Sequence, residues 1–208
     1  SADYPMDKVT TADNDFLKSY YADHAVYNYR SVNPAQADMG NFSRSDFSHI
    51  TPVNKTVSVT SKEYFRSTSA YALPGQTVRV TRQDDSDLSV KVFVNTLRSG
   101  ATHQWATNGY KRPKYLESAH IEIKNGETIS FTSPYGGPLQ LRFSENDLPV
   151  QVRFENVGEH PYWAGSADDA SFTQKLDAGE YDWAELVTPG FEIHSKLDKM
   201  RESMNDNK

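Results

Sequence analysis

The chain has 208 residues and a formal net charge of -6 at pH 7, so it can bury a core of its own but is too acidic for a general nucleic-acid binder. Because it contains no cysteine, a disulfide framework, a thiolate metal site and a cysteine nucleophile are excluded. Its 12 Tyr, 10 Phe and 3 Trp argue against disorder, and the lack of any run of 18 apolar residues predicts no membrane span.

The N-terminal part predicts one helix followed by irregular structure. Residues 13–23 carry apolar side chains at helical spacing behind Thr11 or Asp13, and both of these residues suit a helix N-cap. Between residues 28 and 52 neither periodicity holds, and Pro, Gly and Ser recur. Phe42 and Phe47 are expected to pin this segment to the domain.

Strands dominate from Val57 onward. Apolar and polar side chains alternate in short segments, which is typical of strands with one buried face. These segments lie at residues 57–59, 64–65, 71–73, 77–81, 88–97, 121–123, 128–131, 139–143 and 150–154. An acidic turn is predicted at residues 84–87. Asn125 and Gly126 predict a hairpin with a type I′ turn between two of the strands.

Residues 128–143 hold two alternating runs separated by the sequence SPYGGP at 133–138. Proline lacks the N–H that a sheet needs, and glycine permits a positive φ, so neither strand can continue through this segment. The chain must therefore reverse or cross over here.

The C-terminal part predicts two more strands and a helix. Residues 170–176 and 181–186 are expected to be the last strands, with a turn at Ala178 and Gly179 between them. A helix is predicted over residues 195–204, with Ser195 as its N-cap. The helix face is formed by Leu197, Met200 and Met204.

Together these elements predict a mainly β protein: an antiparallel β-sandwich, jelly-roll-like, with an N-terminal helical extension and a C-terminal helix. Because the helices do not alternate with the strands, a parallel βαβ sheet is not expected. The expected division is a helical and irregular extension packed on the sandwich at residues 1–54, the sandwich at 55–193, and a helix at 194–208 that leads toward a further domain.

The motifs H-E-x-x-H and Gly-x-Ser-x-Gly and glycine-rich phosphate loops are all absent from the sequence. We therefore assign no catalytic residue and no metal ligand. The dispersed histidines could still be brought together by the fold to form a metal site. The simpler interpretation is that they are hydrogen-bonded or lie on the surface. Acidic residues could likewise surround calcium or only cap local backbone, and these residues are Asp84, Asp85, Asp87, Asp168 and Asp169.

A long segment at residues 98–118 interrupts the strand rhythm, and loops of this length in compact domains are usually functional or tied down by neighbours. Aromatic faces suit sugar rings, and basic side chains can donate to sugar hydroxyls. The candidate glycan-binding residues are Trp105, Tyr110, Lys111, Arg112 and Tyr115 of this segment, with Tyr162 and Trp163 further along the chain. The competing interpretation is that these aromatic side chains cover the ends of the sandwich core.

Several ordered motifs resemble one family. They read YALPGQTV at residues 71–78, GYKRP at 109–113, SPYGGPL at 133–139 and EIHSKLDK at 192–199, preceded by YYADHAVY at 20–27 and ADMGNFSRSDFSH at 37–49. The chain resembles, over nearly its whole length, the immunomodulating-metalloprotease (ImpA-type) branch of the enhancin-like, mucin-degrading zinc peptidases.

The resemblance implies a secreted bacterial enzyme in which a β-sandwich precedes the catalytic domain. In that family an H-E-x-x-H motif and a distal glutamate hold zinc, and the motif's glutamate activates water against the peptide bond. Because this chain contains no such motif, none of those residues can be placed on it. No cofactor is expected here, and zinc is expected in the catalytic domain outside this chain.

The leading hypothesis is therefore a non-catalytic sandwich of a glycoprotein-directed zinc metallopeptidase, with its own catalytic domain and O-glycosylated host proteins as partners and an extracellular location. Its role would be to support the catalytic domain and to help in binding substrate. The alternatives are an independent carbohydrate-binding module and an adhesin-like domain.

Overall fold

The computed structural model describes residues 12–14, 46–96, 105–106, 109–110, 117–133 and 136–205, and for 105–106 and 109–110 it describes the backbone. The strands are β1 Val53–Thr60, β2 Tyr64–Ala72, β3 Thr77–Arg82, β4 Val90–Val94, β5 Trp105–Ala106, β6 Gly109–Tyr110, β7 Ile121–Glu122, β8 Thr128–Thr132, β9 Gly137–Phe143, β10 Pro149–Val157, β11 Tyr162–Trp163, β12 Trp183–Val187 and β13 Glu192–Lys196. A 3-10 turn spans Ser166–Asp168, and the helices are α1 Asp169–Ala178 and α2 Leu197–Asn205.

Two four-stranded antiparallel sheets form the sandwich that the alternating segments predict. The first sheet has the strand order β1-β10-β3-β8 and the second has the order β2-β9-β4-β7. Their facing sides share one apolar core, to which β3 contributes Val78 and Val80 while Arg79 between them is exposed. Each such buried side chain contributes roughly 1.5–3 kcal/mol. The mainly β, antiparallel sandwich prediction is confirmed.

A third sheet, with the order β11-β12-β13, lies on the outer side of the second sheet. Neighbouring residues of β2 show this layering, because Ala70 and Ala72 lie in the sandwich core while Tyr71 lies in a second core. That second core also holds residues of β12, α1 and α2. The molecule is therefore layered as sheet, sheet, sheet and helices.

The segment after β8 crosses between the two sheets of the sandwich. β8 belongs to the first sheet and β9 to the second, so the strands on either side of residues 133–136 are not paired with each other. Gly136 has a φ of 62° and Gly137 a φ of 138°. Of the two outcomes that the sequence left open, reversal or crossing, the chain takes the second.

The predicted hairpin at Asn125 and Gly126 is wrong for a related reason. β7 pairs with β4 in the second sheet and β8 pairs with β3 in the first, so this turn also joins the two sheets. Glu127 N–H donates to Lys124 O (3.0 Å), and only Gly126 of the central pair has a positive φ. A type I′ turn needs positive φ at both central positions, so this turn is of a different type.

Residues 170–176, predicted as a strand, belong instead to helix α1. Phe172 and Leu176 are spaced four residues apart and are both buried, which is helical rather than strand periodicity. The helix ends at Ala178 and is capped by Gly179, which has a φ of 70°. It joins β11 to β12, which are parallel, so the described part of the chain contains a βαβ unit, contrary to the expectation from the sequence.

The C-terminal helix is confirmed, but its predicted N-cap is wrong. Ser195 lies in β13 opposite Ala184, and the helix begins at Leu197, whose N–H donates to Asp182 O (3.0 Å). Leu197 and Met200 are buried, whereas Met204 is 42% exposed. The division of the chain at residues 54 and 193 stays a prediction; β13 spans the second of these positions.

The N-terminal predictions fall largely outside the described residues. Asp13 and Asn14 are helical, and the rest of the predicted helix at 13–23 lies outside. Phe42 lies outside as well. Phe47 packs on the second core, with its ring 5.6 Å from those of Tyr71 and Tyr181, so it does pin its segment to the domain. No helix within the described ranges is long and apolar enough to span a bilayer.

Candidate functional site

Most of the predicted glycan-binding set lies where the structure describes little. Trp105 and Tyr110 are opposite each other in the two-stranded ribbon of β5 and β6, where the backbone alone is described. Lys111, Arg112 and Tyr115 lie outside the described residues. The base of the segment is anchored on β4, since Ser118 N–H donates to Val94 O (2.9 Å) and Ser118 Oγ accepts from Val94 N–H (2.8 Å). Glycan binding by this loop stays a prediction.

Tyr162 and Trp163 are consecutive residues of β11, so their side chains point to opposite faces of the third sheet. Tyr162 faces the second sheet. Its burial raises the pKa of its hydroxyl well above the usual range, and the negative charges of Glu185 and Glu192 raise this pKa further. Trp163 packs against the second core, and its Nε1–H donates to Asp169 Oδ1 (2.7 Å). Both are half-buried and cannot form one flat platform together, so their part in glycan binding stays a prediction.

The best candidate site is a group of charged and polar side chains that lies between the second and third sheets. We call this group the buried carboxylate network. At its centre Glu185 of β12 is 1% exposed. Its carboxylate accepts hydrogen bonds from His160 Nε2 (2.9 Å), His194 Nδ1 (2.6 Å) and Gln140 Nε2 (2.7 Å), and from the hydroxyl of Ser67. Four donors from four different segments therefore meet on one carboxylate.

A second carboxylate extends the network toward the surface. Glu192 Oε2 lies 3.3 Å from His194 Nε2, and its Oε1 lies 3.1 Å from Nη1 of Arg66. Ser67 N–H, at the edge of the second sheet, donates to Glu192 Oε2 (3.2 Å). Glu192 and His194 are two residues apart in β13, so both side chains lie on the face that packs against the second sheet.

The pKa values of the network follow from this geometry. Burial alone raises the pKa of Glu185, but the hydrogen bonds and charges of His160 and His194 outweigh it and hold the pKa well below its usual range. Burial lowers the pKa of His194, yet Glu185 and Glu192 together raise it to about 9. His194 and Arg66 thus lie as cations beside the carboxylates of Glu185 and Glu192, and pairing of this kind makes buried charge tolerable.

This network predicts a pH dependence of stability. Because the folded-state pKa of His194 is raised from 6.5 to about 9, its contribution is complete below pH 6.5 and is lost as the pH rises through 9. We expect the free energy of unfolding to fall over this range by up to about 3 kcal/mol. Denaturant titrations at a series of pH values measure it.

The control for this prediction is the difference between two histidine variants. In His194→Gln the pH-dependent loss should disappear. In His49→Gln it should persist, because His49 is half-exposed and pairs with Glu180 across 3.4 Å at the surface. Parallel pH profiles for the parent chain and His194→Gln would contradict the assignment.

The network is built for packing rather than for chemistry on a substrate. General acid–base catalysis needs a group within hydrogen-bond reach of the reacting atom. Glu185 and His160 are each 1% exposed, and the oxygens of Glu185 are occupied by donors from the protein itself. What the arrangement does is hold the third sheet at one position on the second.

Sequence reasoning missed this network, although one signal was present. Glu185 lies in the strand sequence WAELV, where a charged residue is flanked by apolar neighbours on both sides. A carboxylate on the buried side of a strand requires partners. Those partners come from β2, β9, β13 and residue 160, and no sequence spacing relates them.

Among the residues that the structure describes, no group of three or more His, Asp and Glu side chains is placed to hold a metal ion. Three of the five acidic residues considered for calcium accept hydrogen bonds from nearby groups of the protein. Asp84 accepts from Arg82, Ser86 and Gln151, and its pKa is about 2 because these hydrogen bonds outweigh burial. Asp168 and Asp169 accept from Ala164 N–H and from Trp163 respectively.

Asp84 also lines an open cleft of about 470 Å³ at one end of the first sheet, between the end of β1 and the start of β10. Its carboxylate is already engaged by the buried guanidinium of Arg82 (Nη2 to Oδ1, 3.1 Å), so it offers no free charge to a ligand. The cleft is therefore a weaker candidate site than the interface between the sheets.

Fold and site together define a three-sheet β-sandwich protein whose buried charges serve packing between sheets. Residues 47–154, just over half of the chain, match the family described as the N-terminal domain of M60-like peptidases. The chain belongs to this family, and the resemblance noted in its sequence motifs is confirmed.

Solved and characterised relatives agree with this assignment. The immunomodulating metalloprotease of Pseudomonas aeruginosa is 30% identical over 214 residues, covering 97% of this chain and 23% of that protein. The structure of IMPa from Pseudomonas aeruginosa in complex with an O-glycopeptide has a TM-score of 0.81 at 30% identity, covering 97% of this chain and 24% of that chain. The chain thus spans about a quarter of the length of these relatives.

A more distant similarity extends the fold to another bacterium. The ZmpB metallopeptidase from Clostridium perfringens has a TM-score of 0.50 at 14% identity, covering 72% of this chain and 32% of that chain. At this identity the similarity concerns the fold alone.

Proposed function

We propose that this chain is the non-catalytic N-terminal sandwich of a secreted bacterial zinc metallopeptidase that cleaves O-glycosylated, mucin-like proteins. Its task is to support and orient the catalytic domain, where zinc is bound. The observation that carries the proposal is membership of the M60-like N-terminal domain family, in a chain that lacks H-E-x-x-H and spans about a quarter of its metalloprotease relatives.

The layered fold supports the orienting role. The buried carboxylate network joins β12 and β13 of the third sheet to β2 and β9 of the second. Helix α2 follows β13 directly at Leu197, and Leu197 and Met200 are buried in the second core. A domain attached after α2 would be carried on a rigid base, because its connection is packed rather than free.

Binding of the substrate's glycan is the second part of the proposal. The IMPa metallopeptidase has been solved in complex with an O-glycopeptide and in complex with T-antigen. We extend glycan contact to this chain through Trp163 and Tyr162 and through the aromatic and basic loop that contains Trp105. Half-buried aromatic rings offer a rigid apolar face with polar tips, which is what a sugar ring requires.

The proposal predicts that the 208-residue chain does not cleave an O-glycosylated mucin, with or without added zinc. The same chain joined to its catalytic domain should cleave the mucin, and chelation of zinc should abolish this activity. Gel electrophoresis of the mucin after incubation measures both results. Zinc-dependent cleavage by the 208-residue chain alone would overturn the assignment.

Calorimetric titration of the same chain with T-antigen distinguishes the two proposed roles, support of the catalytic domain and binding of the glycan. Binding that is lost in Trp163→Ala and retained in Trp163→Phe, which keeps an aromatic face, would establish the glycan contact. Absence of binding by the isolated chain would remove that part of the proposal and leave the supporting role. Tight binding without any effect on cleavage would favour an independent carbohydrate-binding module.

A further inference from the structure

One edge of the sandwich is an open strand. β1 is the outermost strand of the first sheet, and it is paired on one side with β10. Ser61 N–H, directly after β1, donates to Leu148 O (2.8 Å), so every second residue counted back from Ser61 bonds to β10. The N–H and C=O groups of the residues between them point away from the sheet. These outward residues are Thr56, Ser58 and Thr60.

Within the part of the chain that the structure describes, these outward backbone groups have no partner, because the ladder of β1 runs to β10 alone. The hydroxyl of Ser58 accepts from Gln151 Nε2 (3.3 Å), but this contact involves the side chain and not the edge. By contrast, the edge strand β2 of the second sheet is closed at Ser67, whose N–H donates to Glu192 Oε2 (3.2 Å). An edge strand with free backbone groups is a template for another strand.

The features that protect an edge lie only at the start of β1. The register with β10 shifts between Val53 and Lys55, which marks a bulge or irregularity. The side chain of Lys55 reaches Glu159 Oε1 (2.9 Å). Bulges and inward-pointing charged side chains are two common ways of blocking strand addition. Residues 56–60 carry neither of these features, so this part of the edge is open.

The side chains of this open part suit a neighbouring strand on both faces. Val57 and Val59 are half-buried at the rim of the sandwich core, so an added strand would complete their burial. On the outer face of the sheet, Thr56, Ser58 and Thr60 expose three hydroxyl groups. Valine and threonine are also the residue types that favour strand pairing.

β1 is complementary to itself in one antiparallel register. In this register Ser58 lies opposite Ser58 of the second copy, and Thr56 lies opposite Thr60. The outward backbone groups then meet as hydrogen-bonded pairs, each of which exchanges two N–H···O bonds. The inward side chains of Val57 and Val59 are likewise opposite each other. Apolar pairs on one face and hydroxyl pairs on the other both stabilise a sheet.

Charge favours this register over its neighbours. Lys55 is the charged residue of β1, and it would lie opposite the small polar Ser61 of the second copy. Sliding the second strand by two residues in one direction places Lys55 opposite Val59. Sliding it in the other direction places Thr56 opposite Lys62, which lies beyond the end of β1. The register centred on Ser58 is therefore the one that keeps residues 56–60 paired with themselves.

We propose that the chain forms a two-fold symmetric dimer through β1, in which antiparallel pairing about Ser58 joins the first sheets of two copies into one continuous sheet. A two-fold interface needs a surface that is complementary to itself, and the register of β1 meets this condition. The inference does not depend on the proposed function, because it uses only the backbone groups and side chains of this strand.

Sedimentation equilibrium tests the proposal on the 208-residue chain. Over a wide range of protein concentrations we expect a monomer–dimer equilibrium. Amide hydrogen exchange, measured by NMR on the same samples, should slow at Thr56, Ser58 and Thr60 as the dimer forms. Ser130 lies in β8, the other edge strand of the first sheet, and its amide should exchange at one rate throughout.

The variant Ser58→Pro makes the test specific to this edge. It removes an outward N–H but leaves the bonds to β10, and proline is tolerated at such positions of edge strands. We expect the dissociation constant of the dimer to rise about tenfold or more. Ser58→Ala keeps the N–H and should retain the dimer.

The matched control is Ser130→Pro. Arg82 N–H donates to Glu127 O (3.1 Å), so by the same alternation the N–H of Ser130 also points away from the first sheet. This variant should leave the dissociation constant unchanged. At a protein concentration where the chain is monomeric, both proline variants should unfold at the same denaturant concentration as the parent.

Three results would overturn the inference. The first is a chain that stays monomeric at every concentration. The second is a dimer whose dissociation constant is equal in Ser58→Pro and Ser130→Pro, because its contact then lies elsewhere. The third is slow exchange at residues 56–60 in a monomeric longer protein, because a strand from the rest of the polypeptide then occupies the edge. If Ser58→Pro fails to fold, hydrogen exchange in the parent decides, and unchanged exchange at Ser58 in the dimer excludes the pairing.

Discussion

Replacing Glu185 by alanine is expected to lower the free energy of unfolding of the 208-residue chain by about 3–5 kcal/mol at pH 7. The carboxylate is 1% exposed and accepts from His160, His194 and Gln140. Its removal leaves protonated His194 with one anion fewer and leaves buried donors without an acceptor. Urea-induced unfolding followed by tryptophan fluorescence measures the change.

The matched control is Glu180→Ala. Glu180 also pairs with a histidine, His49, across 3.4 Å, but both side chains are about half-exposed. Surface pairs of this kind contribute about 0–1 kcal/mol, so Glu180→Ala should be nearly neutral. Ser67→Ala, which removes one hydrogen bond to Glu185, should cost about 1 kcal/mol.

These variants also connect stability with function. If Glu185→Ala costs no more than Glu180→Ala, the buried carboxylate network does not hold the third sheet in place. The supporting role would then lose its structural argument. If the proposed supporting role is right, Glu185→Ala should also lower mucin cleavage by the longer protein, because the base on which the catalytic domain is proposed to rest would no longer be rigid.

Gly137→Ala is expected to destabilise the chain by about 3 kcal/mol or more. Gly137 has a φ of 138°, and a Cβ atom there would overlap the side-chain amide of Asn95. Asn95 cannot move aside easily, since its Nδ2 donates to Gly136 O (2.9 Å) and its N–H donates to Pro138 O (2.8 Å). The melting temperature and the urea midpoint of the variant measure the loss.

The variant Gly126→Ala distinguishes the stability cost of a positive φ from the stability cost of steric overlap. Gly126 also has a positive φ, 68°, but apart from Gly126 and its two chain neighbours no residue has an atom within 4 Å of the position where a Cβ would be. Its replacement should therefore cost only about 1 kcal/mol, the penalty of left-handed backbone for a residue with a side chain. Equal losses for the two variants would mean that the contact with Asn95 has no effect at the crossover.

The crossover between the two sheets passes directly over Asn95, and a side chain at residue 137 would collide with it. The predicted break at residues 133–138 is too long at its end, because Gly137 and Pro138 already belong to β9, where Pro138 lies opposite Tyr71. The close approach of β4 was not visible in the sequence, because Asn95 is some forty residues away along the chain.

Much of the sandwich followed from local patterns. Alternation in residues 77–81 and 150–154 predicted β3 and β10, and both strands bury their apolar side chains in the sandwich core. A pattern of period two specifies which side of a strand is buried, and this holds regardless of which strand is its neighbour. The fold class and the family could therefore be predicted from the sequence.

Where local patterns were ambiguous, the predictions failed. Residues 170–176 were expected to form a strand, yet Phe172 and Leu176 bury one face of a helix against the second core. Asn125 and Gly126 predicted a hairpin, but the turn joins different sheets. A turn sequence specifies a change of direction, and the partner of the next strand is decided by packing elsewhere.

The sequence by itself determined the β-sandwich class, the position of most strands, the C-terminal helix and the family, because each depends on periodicity or on ordered motifs along the chain. Only the tertiary structure decided which strands share a sheet, that a third sheet covers the second, and that Glu185 meets His160, His194, Gln140 and Ser67. Those contacts join residues up to 118 positions apart. Their net energy is the gain from charge pairing and hydrogen bonds less the cost of desolvation. Both depend on distance in space and leave no spacing rule in the sequence.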